Sequence, residues 1–257
     1  AEAALELAMA AAKTPEQRFT VLRSIRGYHA YRADFERALD YQLQSEEAGA
    51  EFQPPIANIQ VRLLGLRAFL RAGRTDEALQ RLEALGAQLQ PPMDALVPIG
   101  RMAVYETLED ADALAAALGD AQAMLERTGL KVLERDIVFG QGRLHEMRGE
   151  WQAAIAAYEE ELRLSPTDSA IPQQLGRVLR AMGDLEAAER QLRGTLTAEP
   201  SHGRANYELA LVQAEQGRRV EAIQSLERAL ETWANPTGDY PYPALAREKL
   251  AALQEID

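Results

Sequence analysis

The fold is decided by residues 169–200, SAIPQQLGRVLRAMGDLEAAERQLRGTLTAEP. Apolar and small residues recur at helical spacing in the first half of this segment, which predicts a helix. Gly183 tolerates a positive φ and can end that helix, while Asp184 is suited to cap the next one. The second helix carries Ala188 on its apolar face, and Pro200 cannot continue it. The segment therefore predicts two helices joined by a tight turn.

Small residues repeat at a fixed interval through the second half of the chain. The spacing is 34 residues in two sets, Gly149, Gly183, Gly217 and Ala154, Ala188, Ala222. A period of this length is typical of stacked helix-turn-helix units. Gly176 and Ala188 are small where the two helices of one unit must approach closely. We therefore expect three regular repeats over residues 131–235.

These residues resemble the tetratricopeptide repeat (TPR) of bacterial proteins. The shared pattern is Leu followed by Gly or Ala in a first helix, Gly at the turn, Ala in the second helix, and a closing Pro. The resemblance implies an all-α fold, an α-solenoid of about six TPR-like helix-turn-helix pairs. It also implies that the first helix of each pair lines an inner, concave surface.

The N-terminal half repeats less regularly, and we expect degenerate TPR-like units over residues 1–130. Ala38, Ala78 and Ala113 look like equivalents of the repeated alanine. Thr14 begins a capping box with Pro at the first helical position. We predict helix pairs near residues 14–49, 55–89, 92–128, 131–165, 168–199 and 201–234. Residues 236–257 are expected to form a turn and a capping helix that complete one continuous solenoid.

Composition limits the classes of partner. The formal net charge is −12 and the chain has no cysteine. A surface for nucleic acid or anionic membrane needs clustered cations, so neither partner is expected. No apolar run approaches the ~18 residues of a membrane-spanning helix, so membrane insertion is not expected. We expect a cytoplasmic protein, and an extracytoplasmic location after signal cleavage stays open.

No set of residues predicts catalysis. The three histidines, His29, His145 and His202, fall in different repeats. His145-Glu146 lacks the second histidine that a zinc-protease helix requires. We therefore expect no enzyme activity, no metal and no cofactor.

The predicted function rests on the inner surface that the resemblance implies. Its candidate partner-binding residues are Phe139, Arg143, Gln173, Arg177, Arg180, Arg204, Tyr207 and Leu211. Arginine binds carboxylates through two parallel hydrogen bonds, and an aromatic neighbour can bury an apolar anchor. The four arginines favour an acidic peptide in the groove. The alternative is that they pair with glutamates on adjacent helices and contribute little.

These features predict a non-catalytic scaffold for protein–protein interaction, with a concave groove for a peptide or protein. An alternative is a regulatory or sensor module that controls a catalytic domain in the parent polypeptide. Self-association through the N-terminal end is also possible on this sequence, because an uncapped end repeat leaves an apolar edge.

Overall fold

The structure, a computed structural model, describes residues 2–91, 93–165 and 170–255. Fourteen α-helices lie in these ranges, with one 3-10 turn at Met93–Ala95. The helices are α1 Glu2–Ala11, α2 Pro15–Tyr31, α3 Phe35–Ala50, α4 Pro55–Arg71, α5 Thr75–Gly86, α6 Leu96–Leu108, α7 Ala111–Thr128, α8 Val132–Met147, α9 Trp151–Leu164, α10 Ala170–Ala181, α11 Leu185–Ala198, α12 Gly203–Glu215, α13 Arg219–Thr232 and α14 Tyr242–Gln254.

Six helix pairs account for α2 to α13, and α14 follows as a C-terminal capping helix. The predicted all-α fold of six pairs with a capping helix is confirmed. No β-strand occurs in the part of the chain that the structure describes. The predicted pair starts at residues 92 and 168 and the predicted end at residue 257 lie outside the described residues.

The turn between the helices of each pair contains a residue with positive φ. Four of these turns use glycine, at Gly73, Gly149, Gly183 and Gly217. The other two use Ala33 at φ 60° and Glu109 at φ 55°. Backbone geometry is therefore repeated in all six pairs, even where the sequence lacks the repeated glycine.

Small residues allow the paired helices to approach, as the sequence predicts. A Cβ added to Gly176 would lie 2.6 Å from Leu192 Cγ. One added to Gly142 would lie 2.6 Å from Tyr158 Cε1. Ala188 is fully buried in a cluster with Leu192, Ala205 and Leu209. The apolar core of the regular repeats thus lies between facing helices.

Predicted helix caps are also present. Thr14 accepts a hydrogen bond from the backbone N–H of Gln17, whose side chain accepts in return from the Thr14 N–H. Asp184 accepts from the N–H of Ala187 at 3.0 Å. Each cap satisfies backbone groups that the first turn of a helix leaves without partners.

The chain forms two compact units that differ from the predicted segments. Unit 1 comprises residues 1–104 together with Trp233–Tyr240, and unit 2 comprises Tyr105–Thr232 with Pro241–Asp257. The predicted division into residues 1–130, 131–235 and 236–257 stays a prediction.

Residues 233–240, which we call the strap, complete unit 1. The N–H of Thr237 donates to Ala33 O at 2.9 Å, and the N–H of Asp239 donates to Arg71 O at 3.0 Å. The ring of Tyr240 packs edge-on against Phe35, with 5.0 Å between centroids. The strap therefore binds the turns that follow α2 and α4, although about 200 residues of sequence separate them.

Candidate functional site

The eight predicted binding residues lie on the first helices of the three regular repeats, within unit 2. Phe139 and Arg143 belong to α8, and Gln173, Arg177 and Arg180 belong to α10; Arg204, Tyr207 and Leu211 belong to α12. We call this set the unit 2 face. Gln173 and Tyr207 are buried, with exposed fractions of 4% and 7%, whereas the other six are partly exposed.

Glu146 is the centre of one ion-pair group on this face. Arg143 donates to Glu146 Oε2 at 2.7 Å from one turn earlier on α8. Arg177 donates to the same oxygen at 2.7 Å from α10, and the Tyr158 hydroxyl donates to it at 2.8 Å. The side chains of Arg143, Glu146 and Arg177 are only 12%, 10% and 17% exposed. This group is therefore part of the packed structure.

Glu208 is the centre of a second group, which contains two arginines and a second glutamate. Arg204 donates to Glu208 Oε1 at 3.1 Å from one turn earlier on α12. The Nε of Arg180 lies 3.5 Å from Glu208 Oε2, and its NH1 donates to Glu215 at 2.7 Å. The Glu208 side chain is 2% exposed. All four predicted arginines are thus paired with internal glutamates, the alternative that the sequence left open.

Burial and charge shift the ionisation of the first group. Burial is the largest single influence on Arg143 and lowers its pKa, but the charges of Glu146, Tyr158 and Glu106 and the hydrogen bond to Glu146 together raise the pKa above its usual value. Burial and the nearby Glu146 charge both raise the pKa of the Tyr158 hydroxyl. For Arg177, burial comes first and, with the charge of Arg143, holds the pKa below its usual value despite Glu146. Tyr158 therefore stays a neutral hydrogen-bond donor.

Aromatic rings occupy both ends of the unit 2 face. Phe139 packs on Tyr158 with 6.0 Å between ring centroids. The guanidinium of Arg204 lies 3.4 Å from the ring centroid of Tyr242 on α14, a cation–π contact. Tyr207 packs edge-on against the same ring at 5.7 Å. The capping helix thus fixes the position of two predicted binding residues.

Two buried donors on α10 have no acceptor among the described residues. They are Gln173 Nε2 and Arg177 Nε. Arg180 Nε and Glu208 Oε2 also lack a hydrogen bond, but these atoms face each other at 3.5 Å and a small rotation would join them. An unpaired buried donor costs free energy, and both atoms are closed to solvent, so an added acceptor can satisfy them only after the side chains turn toward the surface.

A second candidate site lies in unit 1 and was not predicted. A cavity of about 510 Å³ is lined by Phe19, Arg23, Arg26, Gly27, Ala30, Phe35, Ala38, Gln42, Gln53, Ala57, Gln60, Val61, Arg67, Ala68 and Arg71. We call it the arginine cavity. It has four arginines and no acidic residue in its lining. The signal was present in the sequence, since projecting the repeat pattern onto α2 and α4 places these arginines on first helices.

The four arginines of this cavity make no ion pair with any described residue. Arg26 donates to Gln42 Oε1 at 2.8 Å. Arg23 lies 5.4 Å from the Phe19 ring centroid, and Arg71 lies between the rings of Phe35 and Tyr240 at 5.4 and 5.2 Å. The nearby buried carboxylate, Glu46, pairs instead with Arg81 and Arg62.

The described part of the chain lacks a metal site. Within it, no group of three or more His, Cys, Asp or Glu residues is arranged to hold a metal ion. His145 Nδ1 lies 2.5 Å from Glu150 Oε2, a pair on the protein surface. None of the described helices combines the length and apolar character that crossing a bilayer requires.

Comparison with curated proteins finds a human relative. The chain is 28% identical over 179 residues to tetratricopeptide repeat protein 7A of Homo sapiens. The match covers 66% of this chain and 21% of the relative, so the chain spans about a fifth of that protein.

Solved structures share the fold at low sequence identity. A TPR protein from Parabacteroides merdae has a TM-score of 0.61 and 17% identity, covering 99% of this chain and 91% of its own. A structure of the APC/C hetero-tetramer Cut9–Hcn1 has a TM-score of 0.62 and 16% identity, covering 92% of this chain and 43% of its own. A TPR protein from Thermus thermophilus has a TM-score of 0.55 and 20% identity, covering 76% and 98%.

The family model described as tetratricopeptide repeat matches residues 103–169 and 174–236, about half of the chain. These matched segments cover the three regular repeats except residues 170–173, and every residue of the unit 2 face except Gln173. With six helix pairs and the repeated turn geometry, the chain belongs to the tetratricopeptide repeat family.

Proposed function

We propose that this chain is a non-catalytic scaffold that binds a peptide or protein segment on the unit 2 face. The observation that carries the proposal is the pair of buried donors without acceptors on α10, Gln173 Nε2 and Arg177 Nε. They lie on the helix between Phe139 and Tyr207, the aromatic residues of the two neighbouring first helices. A peptide supplies both the acceptors and the apolar side chains that such a surface can bind.

The preferred partner on this face is an acidic segment that shares the guanidinium groups. Each guanidinium has five N–H donors, and the internal glutamates use only some of them. Two arginines contact Glu146, which leaves residual positive charge in that group, whereas Glu215 balances the charge of the second group. Further carboxylates can therefore bind without displacing the internal ones, although the pairing weakens the field that attracts them.

The test compares paired variants on the two faces of unit 2. Peptides are selected from a displayed random library against the immobilised protein and then measured by fluorescence anisotropy. Arg177→Glu with Arg204→Glu should weaken the selected peptides at least about tenfold, since charged hydrogen bonds are lost. Arg190→Glu with Arg228→Glu, at exposed positions on second helices, is the matched control.

The charge-reversed pair also places new carboxylates beside Glu146 and Glu208, so a second variant guards against unfolding. Arg177→Lys with Arg204→Lys keeps the charge but loses the planar fork. Circular dichroism first establishes that each variant is folded. Unchanged affinity in both folded variants would contradict the proposal for this face.

Self-association through the N-terminal end is a further possibility that one observation favours. Leu7 on α1 is 72% exposed, and no described residue of α1 is buried. Sedimentation velocity over a range of concentrations should show a dimer that Leu7→Glu abolishes. A monomer at every concentration would rule it out. The cytoplasmic location and the regulatory alternative stay predictions.

A further inference from the structure

We propose that the arginine cavity of unit 1 binds an acidic peptide segment in which an apolar side chain lies between carboxylates. This inference rests on the proposed function, binding of peptides by this chain. It concerns a different unit, different helices and residues that belong to no predicted site.

Uncompensated charge is the first argument. Two arginines come from α2, Arg23 and Arg26, and two from α4, Arg67 and Arg71. Burial, and next the charge of Arg23, lower the pKa of Arg26, so these like charges interact. An anionic ligand would remove this repulsion and supply the carboxylates that the lining lacks. The chain as a whole is acidic, with a net charge of −12, so this concentration of cations is local.

The apolar part of the lining argues for a peptide over a simple anion. Ala30, Val61 and Ala68 line the cavity and are partly exposed. A small inorganic anion would contact the guanidiniums and leave these groups in water. An apolar side chain flanked by carboxylates would cover them while its neighbours bind the arginines. The cavity volume of about 510 Å³ is large enough for such a side chain and its flanking groups.

Gly27 provides the main-chain access that a peptide needs. It is exposed within α2 and lines the cavity, and a Cβ added there would meet no atom within 4 Å. Glycine destabilises a helix interior, and at Gly142 and Gly176 close packing against a neighbour explains its presence. No such packing exists at Gly27. The open space above it admits a ligand backbone close to α2, between the arginines.

The experiment uses the whole chain and a defined probe. The probe is acetyl-Asp-Glu-Phe-Glu-Asp-amide, compared by isothermal titration calorimetry with the neutral acetyl-Asn-Gln-Phe-Gln-Asn-amide and with inorganic phosphate. The acidic peptide should bind at least about tenfold more tightly than the neutral one, and its affinity should fall as salt is added. Phosphate should compete only weakly.

Variants locate the binding. Gly27→Glu places a carboxylate in the cavity and should weaken the acidic peptide at least about tenfold. Gly194→Glu is the matched control, because Gly194 is an exposed helical glycine with the same open surroundings in unit 2. Arg23→Gln with Arg67→Gln tests the same site in a second way. Both side chains are exposed and make no ion pair with a described residue, so this variant should fold even if Gly27→Glu does not.

Several outcomes would overturn the inference. The neutral peptide binding as tightly as the acidic one would overturn it. Phosphate binding as tightly as the acidic peptide would also overturn it, because the cavity would then be a site for simple anions. Unchanged binding in the folded cavity variants would do the same. Loss of binding only in Arg177→Glu with Arg204→Glu would also overturn it, yet would support the unit 2 face. Retention in that variant and loss in Gly27→Glu would support the cavity.

Discussion

The arginines of the two units differ in what they bind. On the unit 2 face each arginine pairs with Glu146 or Glu208, whereas the four arginines of the unit 1 cavity pair with no described carboxylate. Both sets occupy first helices of helix pairs. The number of arginines on such a helix therefore does not report the charge that is available to a ligand.

The helices themselves explain the difference. Arg143 and Arg204 each have a glutamate three or four residues later on the same helix, where side chains meet. In contrast, α4 has no acidic residue, and the only one in α2, Glu16, lies in its first turn. Buried ion pairs fix a structure, while unpaired cations at an open cavity are available for binding. The following predictions test this contrast, beginning with the largest expected effect.

Removing the Glu146 carboxylate should destabilise unit 2 strongly. Glu146→Gln removes the carboxylate to which the buried Arg143 and Arg177 are hydrogen-bonded, and losing one partner of a buried ion pair costs about 3–5 kcal/mol. Urea unfolding followed by circular dichroism measures the change. Glu215→Gln, which removes an exposed partner of Arg180, should cost at most about 1 kcal/mol. Equal effects of the two changes would contradict a structural role for the buried group.

Weakening the contacts of the strap should destabilise unit 1 and change the position of Arg71. Gly238 has φ 74°, and a Cβ there would lie 2.4 Å from Arg71 O. Gly238→Ala should cost roughly 2–4 kcal/mol, from the left-handed backbone and the steric clash together. Hydrogen exchange at the Thr237 and Asp239 amides, both of which donate to unit 1, should then speed up.

The matched control for the strap is Gly217→Ala. Gly217 has φ 76° and no atom within 4 Å of the added Cβ, so it carries the backbone cost without the clash. If Gly238→Ala is no more destabilising than this control, Gly238 does not lie as close to the Arg71 carbonyl as described.

Filling the open space over α2 should stabilise the unliganded protein. Gly27→Ala should raise the free energy of unfolding by about 0.5–1 kcal/mol, since alanine favours the helix and meets no neighbour. Gly119→Ala, an equally open helical site in unit 2, should give the same gain. Thermal melts without ligand measure the change. A loss of stability at Gly27 alone would mean that other atoms already occupy the space above it.

The smallest expected effect is at Arg67. Because Arg67 is exposed and makes no ion pair with a residue that the structure describes, Arg67→Gln should change the free energy of unfolding by less than about 0.5 kcal/mol. Any change should be a slight gain at low salt, where repulsion among the cavity arginines is least screened. A clear loss of stability, comparable with that of Arg177→Gln, would remove the contrast between the units.

Local features of the fold could be predicted from sequence because each depends on neighbouring residues. The regular turns follow from Gly149, Gly183 and Gly217. The turn at Ala33 lies five residues before Ala38, the same interval as in the regular repeats, whereas the turn at Glu109 lies only four residues before Ala113. The sequence offered ion pairing between helices only as an alternative, because Arg177 and Glu146 are 31 residues apart in the chain. The choice of that carboxylate depends on how successive helices stack, which no single segment encodes.

The arginine cavity could have been found by the same projection that found the unit 2 face. The irregular repeat in the N-terminal half concealed it, because Ala33 takes the place of the turn glycine. The docking of the strap had no signal of that kind. Some of its contacts are hydrogen bonds to backbone carbonyls, which every residue type provides. The others, the packing of Tyr240 on Phe35 and the hydrogen bonds of the Thr237 hydroxyl, join residues about 200 positions apart.

The strap also sets the order in which the protein can mature during synthesis. Helices α1 to α5 of unit 1 are translated before the helices of unit 2, yet the hydrogen bonds at Glu36 and Asp34 need Thr237, which is translated about 200 residues later. Until then the carbonyl groups of Ala33, in the turn after α2, and of Arg71, the last residue of α4, lack the hydrogen bonds that the strap provides. Closing so long a loop costs entropy and slows the last step of folding. A nascent chain stalled before residue 237 would therefore hold unit 1 unfinished while the helices of unit 2 are already made.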